Sequence, residues 1–153
     1  MHPTFIPSFS FINLPTKHNT YYQIITMSGS HGNLEVTVIE ARHLKDQDIV
    51  GKNDAFVEVY LDKDYKQRTK TVQNNNDPQW NEKFTFNLSR NHDDLHIHVY
   101  DDDAVGKDSI GDAKIDLRKH DFSKGPFDEW VKLPALLGLR SKGEVHVKIE
   151  HKQ

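Results

Sequence analysis

The sequence predicts an all-β protein, an eight-stranded antiparallel β-sandwich. From Leu34 onward, apolar and polar residues alternate in short runs, the period-2 pattern of strands with one buried face. Gly, Pro, Asn and Asp fill the gaps between the runs, and these are the residues that turns require. No segment keeps a helical period for more than a turn or two.

The elements follow in order. LEVTVIEA (34–41) and AFVEVYL (55–61) alternate strictly enough to be half-buried strands. KQRTKTV (66–72) reads as a polar strand. KFTFNL (83–88), LHIHVYD (95–101) and SIGDAKIDL (109–117) continue the series, and FDEWVKL (127–133) and GEVHVKIE (143–150) complete it. Eight short strands with frequent turn signals argue two packed antiparallel sheets.

Composition bounds the function. A chain of 153 residues has length for one domain with a real core. It has no cysteine, so neither a disulfide framework nor a thiolate metal site is available. That fits a reducing compartment. A net charge of −3 argues against general nucleic-acid affinity. No apolar run approaches the roughly 20 residues of a membrane span. Residues 1–30 differ from the rest: they hold no acid, and Lys17 is their one Lys or Arg. Pro7, Asn13 and Pro15 interrupt any signal-peptide core there. This part reads as a disordered N-terminal extension, with residues 31–153 as the domain. Met27 opens MSGSHGNLEV, which has the form of a protein start, so the upstream part also reads as a mispredicted start. The competing reading is a targeting or anchoring tail.

Four carboxylates fall within eight residues in YDDDAVGKDSIG (100–111). Like charges about 4 Å apart repel by roughly 4 kcal/mol at an effective dielectric of 20. An earlier stretch, DIVGKND (48–54), repeats the pattern of acid, two apolar residues, Gly, Lys and a closing acid. Two ordinary turns would explain both. Strand parity favours a shared site instead. Leu95, Ile97 and Val99 share the core face, and Asp101 and Asp103 continue that parity off the strand end, while Asp102 points the other way. With Asp48, Asp54 and Asp108, five carboxylates would converge at one mouth of the sandwich. Such a cluster calls for cations, and hard oxygen donors without cysteine select Ca²⁺ or Mg²⁺ over zinc.

Four motifs in order then resemble a known family, the C2 domains of protein kinase C, phospholipases and synaptotagmins. LKDQDIVGKNDAFVEV (44–59) is similar to the first calcium loop and the strand after it. KTVQNNNDPQWNEKFTFNL (70–88) carries the Lys-Thr and Asn/Asp-Pro-x-Trp-Asn-Glu signature. VYDDDAVGKDSIG (99–111) is similar to the third calcium loop, and WVKL (130–133) to a strand near the family's C-terminus. The resemblance implies Ca²⁺ as the cofactor. It implies ligands at Asp48, Asp54, Asp101, Asp103 and Asp108, with backbone carbonyls near Gln47 and Asp102. Two departures stand out: Ala55 replaces the usual proline, and the third loop is one residue shorter. GEVHVKIE after Trp130, with no strand before Leu34, resembles the permuted, type II topology.

The same resemblance implies that Lys66, Arg68 and Lys70 contact anionic headgroups, although a solvated strand face is the ordinary reading of such alternation. Each basic residue near an anionic membrane is worth about 1 kcal/mol. Ile49, Val50, Ala104 and Val105 at the loop tips would enter the headgroup layer, with Lys52 and Lys107 level with the phosphates. The bland account packs these apolar pairs against each other. Two Ca²⁺ would carry the net charge from −3 to +1, a reversal localised at one end. The expectation is a non-enzymatic, cytoplasmic module that attaches peripherally to phosphatidylserine or phosphoinositide membranes when calcium is present. The rivals are a calcium-independent protein-interaction module and a metal-dependent phosphohydrolase. His96, His98 and His146 read as solvent-face residues rather than zinc ligands. The NNN run (74–76) reads as a loop, and Trp80 as a packing anchor.

Overall fold

Alternation fixes which side of each strand meets the core. The computed structural model describes residues 32–46, 51–89, 91–135 and 141–153. The expectation for residues 1–30 therefore lies outside the described residues, as do Gln47, Asp48, Ile49 and Val50. The strands are β1 (Asn33–Arg42), β2 (Ala55–Tyr60), β3 (Gln67–Arg68), β4 (Gln79–Asn87), β5 (Asp94–Asp103), β6 (Gly106–Asp116), β7 (Phe127–Pro134) and β8 (Ser141–Lys152). Two short 3₁₀ turns, Leu117–Lys119 and Phe122–Lys124, join β6 to β7.

The strands form two four-stranded antiparallel sheets, in the orders β4-β1-β8-β7 and β3-β2-β5-β6. The last described strand sits inside the first sheet and follows β1 from Asn33 opposite Lys152 to Arg42 opposite Glu144, with one register shift between Val38 and Glu40. Leu34, Val36 and Val38 of β1 interleave in the core with Val57 and Val59 of β2, Leu95, Ile97 and Val99 of β5, and Val145, Val147 and Ile149 of β8. Trp80 belongs to this cluster, as expected of an anchor.

One strand is shorter than expected. Of KQRTKTV, only Gln67 and Arg68 pair as a strand, opposite Val59 and Glu58. The ladder is interrupted by a side chain: the Val57 N–H donates to the Thr69 hydroxyl (3.0 Å), and Thr69 N–H returns a bond to the Val57 carbonyl. Pairing resumes as a single bridge between Ala55 and Val72.

Glycine has a specific role near the start of β8. Gly143 has φ +120°, and a Cβ there would lie 2.9 Å from Leu44 Cδ2 and 3.0 Å from the Arg42 carbonyl oxygen. Gly143→Ala combines strain with a clash against backbone and should cost about 1–3 kcal/mol. A fall in the urea midpoint at unchanged slope checks this; an unchanged midpoint would refute it.

Candidate functional site

β5 and β6 meet at one end of the sandwich in a tight hairpin, with Asp103 opposite Gly106 and Ala104–Val105 as its tip. The register between these strands shifts near Tyr100: Val99 faces Gly111, but Tyr100 faces Ser109. The extra residue on β6 is Ile110. A bulge of this kind re-aims the side chains beyond it. Without the shift Asp101 would oppose Ser109; with it, Asp101 opposes Asp108.

β2 brings in the other acidic segment. Ala55 pairs with Asp101, and the Asp54 N–H donates to Asp101 Oδ1 at 2.6 Å. The Asp102 N–H donates to the Asp54 carbonyl at 2.9 Å. Asp101 is buried, Asp54 half-buried, and Asp103 and Asp108 exposed. Asp102 points away, as parity requires: its Oδ2 accepts from the Thr71 hydroxyl at 2.7 Å and from Arg68 at 3.3 Å. The Thr71 bond foremost, and then Arg68, hold the Asp102 carboxyl below the usual range against a smaller opposing effect of burial. The structure thus brings Asp54, Asp101 and Asp108 to one end, with Asp103 at the hairpin tip. Asp48 and the Gln47 carbonyl lie outside the described residues.

The donor set is all oxygen, which suits a hard cation of the Ca²⁺ class. Among the described residues, no three acid, histidine or cysteine side chains are grouped so as to hold a metal ion. Four of the five expected carboxylates, Asp54, Asp101, Asp103 and Asp108, are among the described residues.

The profile of the C2 domain family matches residues 32–133. The chain belongs to the C2 domain family. Synaptotagmin-5 of Arabidopsis thaliana is 34% identical over 128 residues, 77% of this chain. The chain spans only 22% of that protein's length. Among solved structures, a C2 domain of plant Extended Synaptotagmin 1 superposes with a TM-score of 0.68 at 26% identity, covering 79% of this chain and 94% of that one. The calcium-bound pair of C2 domains of Extended-Synaptotagmin 2 gives a TM-score of 0.68 at 25% identity, covering 79% of this chain and 45% of that one.

In this C2 domain the basic residues gather on the outer face of the β3-β2-β5-β6 sheet. The Arg68 guanidinium lies 3.6 Å over the Phe56 ring. Lys66 lies 4.9 Å from the Tyr60 ring centre and Lys107 3.9 Å from that of Tyr100. Phe56 and Tyr100 stack at 5.4 Å. Lys107 therefore joins Lys66 and Arg68 on the sheet face rather than standing at the loop tip. Lys70 is exposed, and its backbone N–H is fixed by Glu82 (2.8 Å). Lys52 and Ala104 are exposed, and Val105 is 100% exposed. Val105 thus buries no surface against any described residue.

The histidines of β5 lie on this outer face. His98 accepts or donates to Ser109 Oγ at 2.7 Å and meets the Tyr100 hydroxyl at 3.0 Å. Burial pushes its imidazole below the usual range. His146, on the other sheet, contacts Asp128 at 2.7 Å and stacks on Trp130.

Two sets of residues matter more than the sequence indicated. The asparagines of the NNN run brace the first acidic segment. Asn76 Oδ1 accepts from both the backbone and side-chain N–H of fully buried Asn53 (3.1 and 2.8 Å). Asn74 N–H donates to Asp54 Oδ1 at 2.7 Å, and Asn74 Oδ1 accepts from Lys52 N–H at 3.1 Å. Asn75 N–H binds the Asn53 carbonyl at 2.8 Å. The only prior signal was three asparagines beside Asp77-Pro78, which a plain loop also explains. The second is Glu58, at an outward position of AFVEVYL.

Proposed function

We propose that this C2 domain binds Ca²⁺ among the acids at the β5–β6 end and then attaches to membranes carrying anionic phospholipid. The observation that carries the reading is convergence: the Asp54 N–H on Asp101 Oδ1 at 2.6 Å, with Asp108 paired across from Asp101. One short bond and one bulge join acids that lie 47 positions apart in the first case. The calcium-bound state of a similar Extended-Synaptotagmin 2 pair supports the choice of ion. Asp48, Asp54, Asp101, Asp103 and Asp108 are the proposed ligands, with the Gln47 and Asp102 carbonyls. Bound calcium supplies positive charge and vacant sites for lipid oxygens at this end. No bond is made or broken.

The residues around the acids then act on the lipid. Val105, fully exposed at the tip, enters the headgroup layer beside Ala104; Ile49 and Val50 do the same from the first segment. Lys52 stays exposed to meet phosphates. Lys66, Arg68 and Lys107 offer a second anionic contact on the sheet face, with Lys70 at its margin. Among the described residues no helix is long and apolar enough to cross a membrane.

Calcium titration by calorimetry, with and without liposomes containing phosphatidylserine, tests the reading. Calcium should raise sedimented protein at least tenfold, and no difference between calcium and chelator would sink it. Val105→Asn should weaken liposome binding about fivefold, because partial burial of a valine is worth on the order of 1 kcal/mol. Its calcium affinity without lipid should not move. Unchanged liposome binding would mean that the tip stays in water.

A further inference from the structure

Glu58 occupies the centre of the basic face. It is 8% exposed, and register places it opposite Arg68 on one side and His98 on the other. Both carboxylate oxygens are in use: Lys66 Nζ donates to Oε2 at 3.3 Å, and Lys107 Nζ to Oε1. Three cations, Arg68 of β3, Lys66 just before it and Lys107 of β6, therefore converge on an aromatic floor of Phe56, Tyr60 and Tyr100, and a carboxylate already sits among them. Burial alone would push the Glu58 carboxyl up, but the bonds from Lys107 and Lys66 more than offset this and hold it below the usual range. It stays ionised at neutral pH. Arg68 is paired in the same way, with Asp102.

We propose that Glu58 is a built-in competitor for the headgroup on this face, so that a lipid phosphate reaches Lys66 and Lys107 only by displacing the Glu58 carboxylate. The inference rests on the membrane-binding reading above and adds selectivity to it. Glu58 carries one negative charge and is tethered in place, which gives it a high effective concentration. A phosphodiester headgroup, also with one charge on its phosphate, has no advantage over it. A phosphomonoester carries about −1.5 to −2 at pH 7 and three strong acceptor oxygens. The face therefore excludes phosphatidylserine and admits headgroups bearing phosphomonoesters, such as those of phosphoinositides.

The test compares wild type with Glu58→Gln, which keeps the shape and removes the charge. In EGTA, Glu58→Gln should bind vesicles containing phosphatidylinositol 4,5-bisphosphate at least tenfold more tightly than wild type, with a smaller gain on phosphatidylserine and none on phosphatidylcholine. Adding Lys66→Gln and Lys107→Gln should erase the gain. Equal or weaker binding by Glu58→Gln overturns the proposal. A gain for soluble inositol trisphosphate without one for vesicles overturns the lipid as occupant. The wild-type chain gives a check independent of any variant: the carboxyl carbon resonance of Glu58 should move as inositol trisphosphate binds, and binding without such movement also overturns the proposal. Because these arms run without calcium, failure of calcium-driven sedimentation would sink the calcium reading and leave the Glu58 comparison standing.

Discussion

Asp103→Asn should weaken calcium binding by at least about 100-fold and remove calcium-driven sedimentation with phosphatidylserine liposomes, while the sandwich stays folded. Asp103 is exposed at the end of β5, opposite Gly106. Its replacement opens no cavity in the core. What is lost is one hard oxygen donor from a small set, and even loss of a group that merely supports a ligand costs roughly 10–100-fold in metal affinity. Asp102→Asn is the matched control. It removes the same charge one residue away, but that side chain faces Thr71 and Arg68. Calorimetry should find its calcium affinity within about threefold of wild type. If both variants lose calcium equally, general charge rather than placement governs the site. If neither does, the site is elsewhere.

The second large effect is on stability. The Asp54 backbone is tied to the buried Asp101 carboxylate, and Asp108 pairs across from Asp101, so a cation bound at this end would be held by the folded state alone. A ligand at about 100 times its dissociation constant adds roughly 2.7 kcal/mol. For a domain of this size that corresponds to a rise of about 10 °C in Tm. Scanning calorimetry in EGTA and in millimolar calcium should show this gap, and Asp103→Asn should close it. Magnesium at the same concentration should do less, because it demands near-ideal octahedral geometry and gives up its waters reluctantly. Equal Tm values with and without calcium would exclude a tight site.

Much of the fold was readable because strands report themselves every second residue. The paired runs LEVTVIEA and GEVHVKIE, and the parity that sends Asp101 inward and Asp102 outward, needed no tertiary knowledge. β3 was overextended because a threonine hydroxyl that takes the place of a ladder partner leaves no mark in a polar run. The juxtaposition of Asp101 and Asp108 depends on the bulge at Ile110. Its one trace in the sequence is an apolar residue beside Gly111 that breaks the alternation of β6. Glu58 stood at an outward position of β2, visible as an acid on a polar face. Its bond to Lys107, 49 positions away, was not visible. The asparagine brace was hidden for the same reason: amide side chains carry no periodicity, and their partners are set by how two loops lie side by side.

The place of β8 between β1 and β7 has a consequence for how the chain comes into being. Of the two partners of β1, β4 is made early and β8 is the last of the described strands to be made. Roughly a hundred residues separate the end of β1 from the start of β8, and at about 5–20 residues per second a ribosome needs some 5–20 s to supply them. Through that interval Leu34, Val36 and Val38 have no complete sheet to enter. The nascent domain waits with an open, sticky seam, and only the arrival of β8 lets that seam close. Non-local pairing of this kind also places refolding on the slow, millisecond-to-second side of single-domain behaviour. The same closure leaves Asn33 beside Lys152, so a short linker could join those ends and new termini be cut at a surface turn without breaking the sheet.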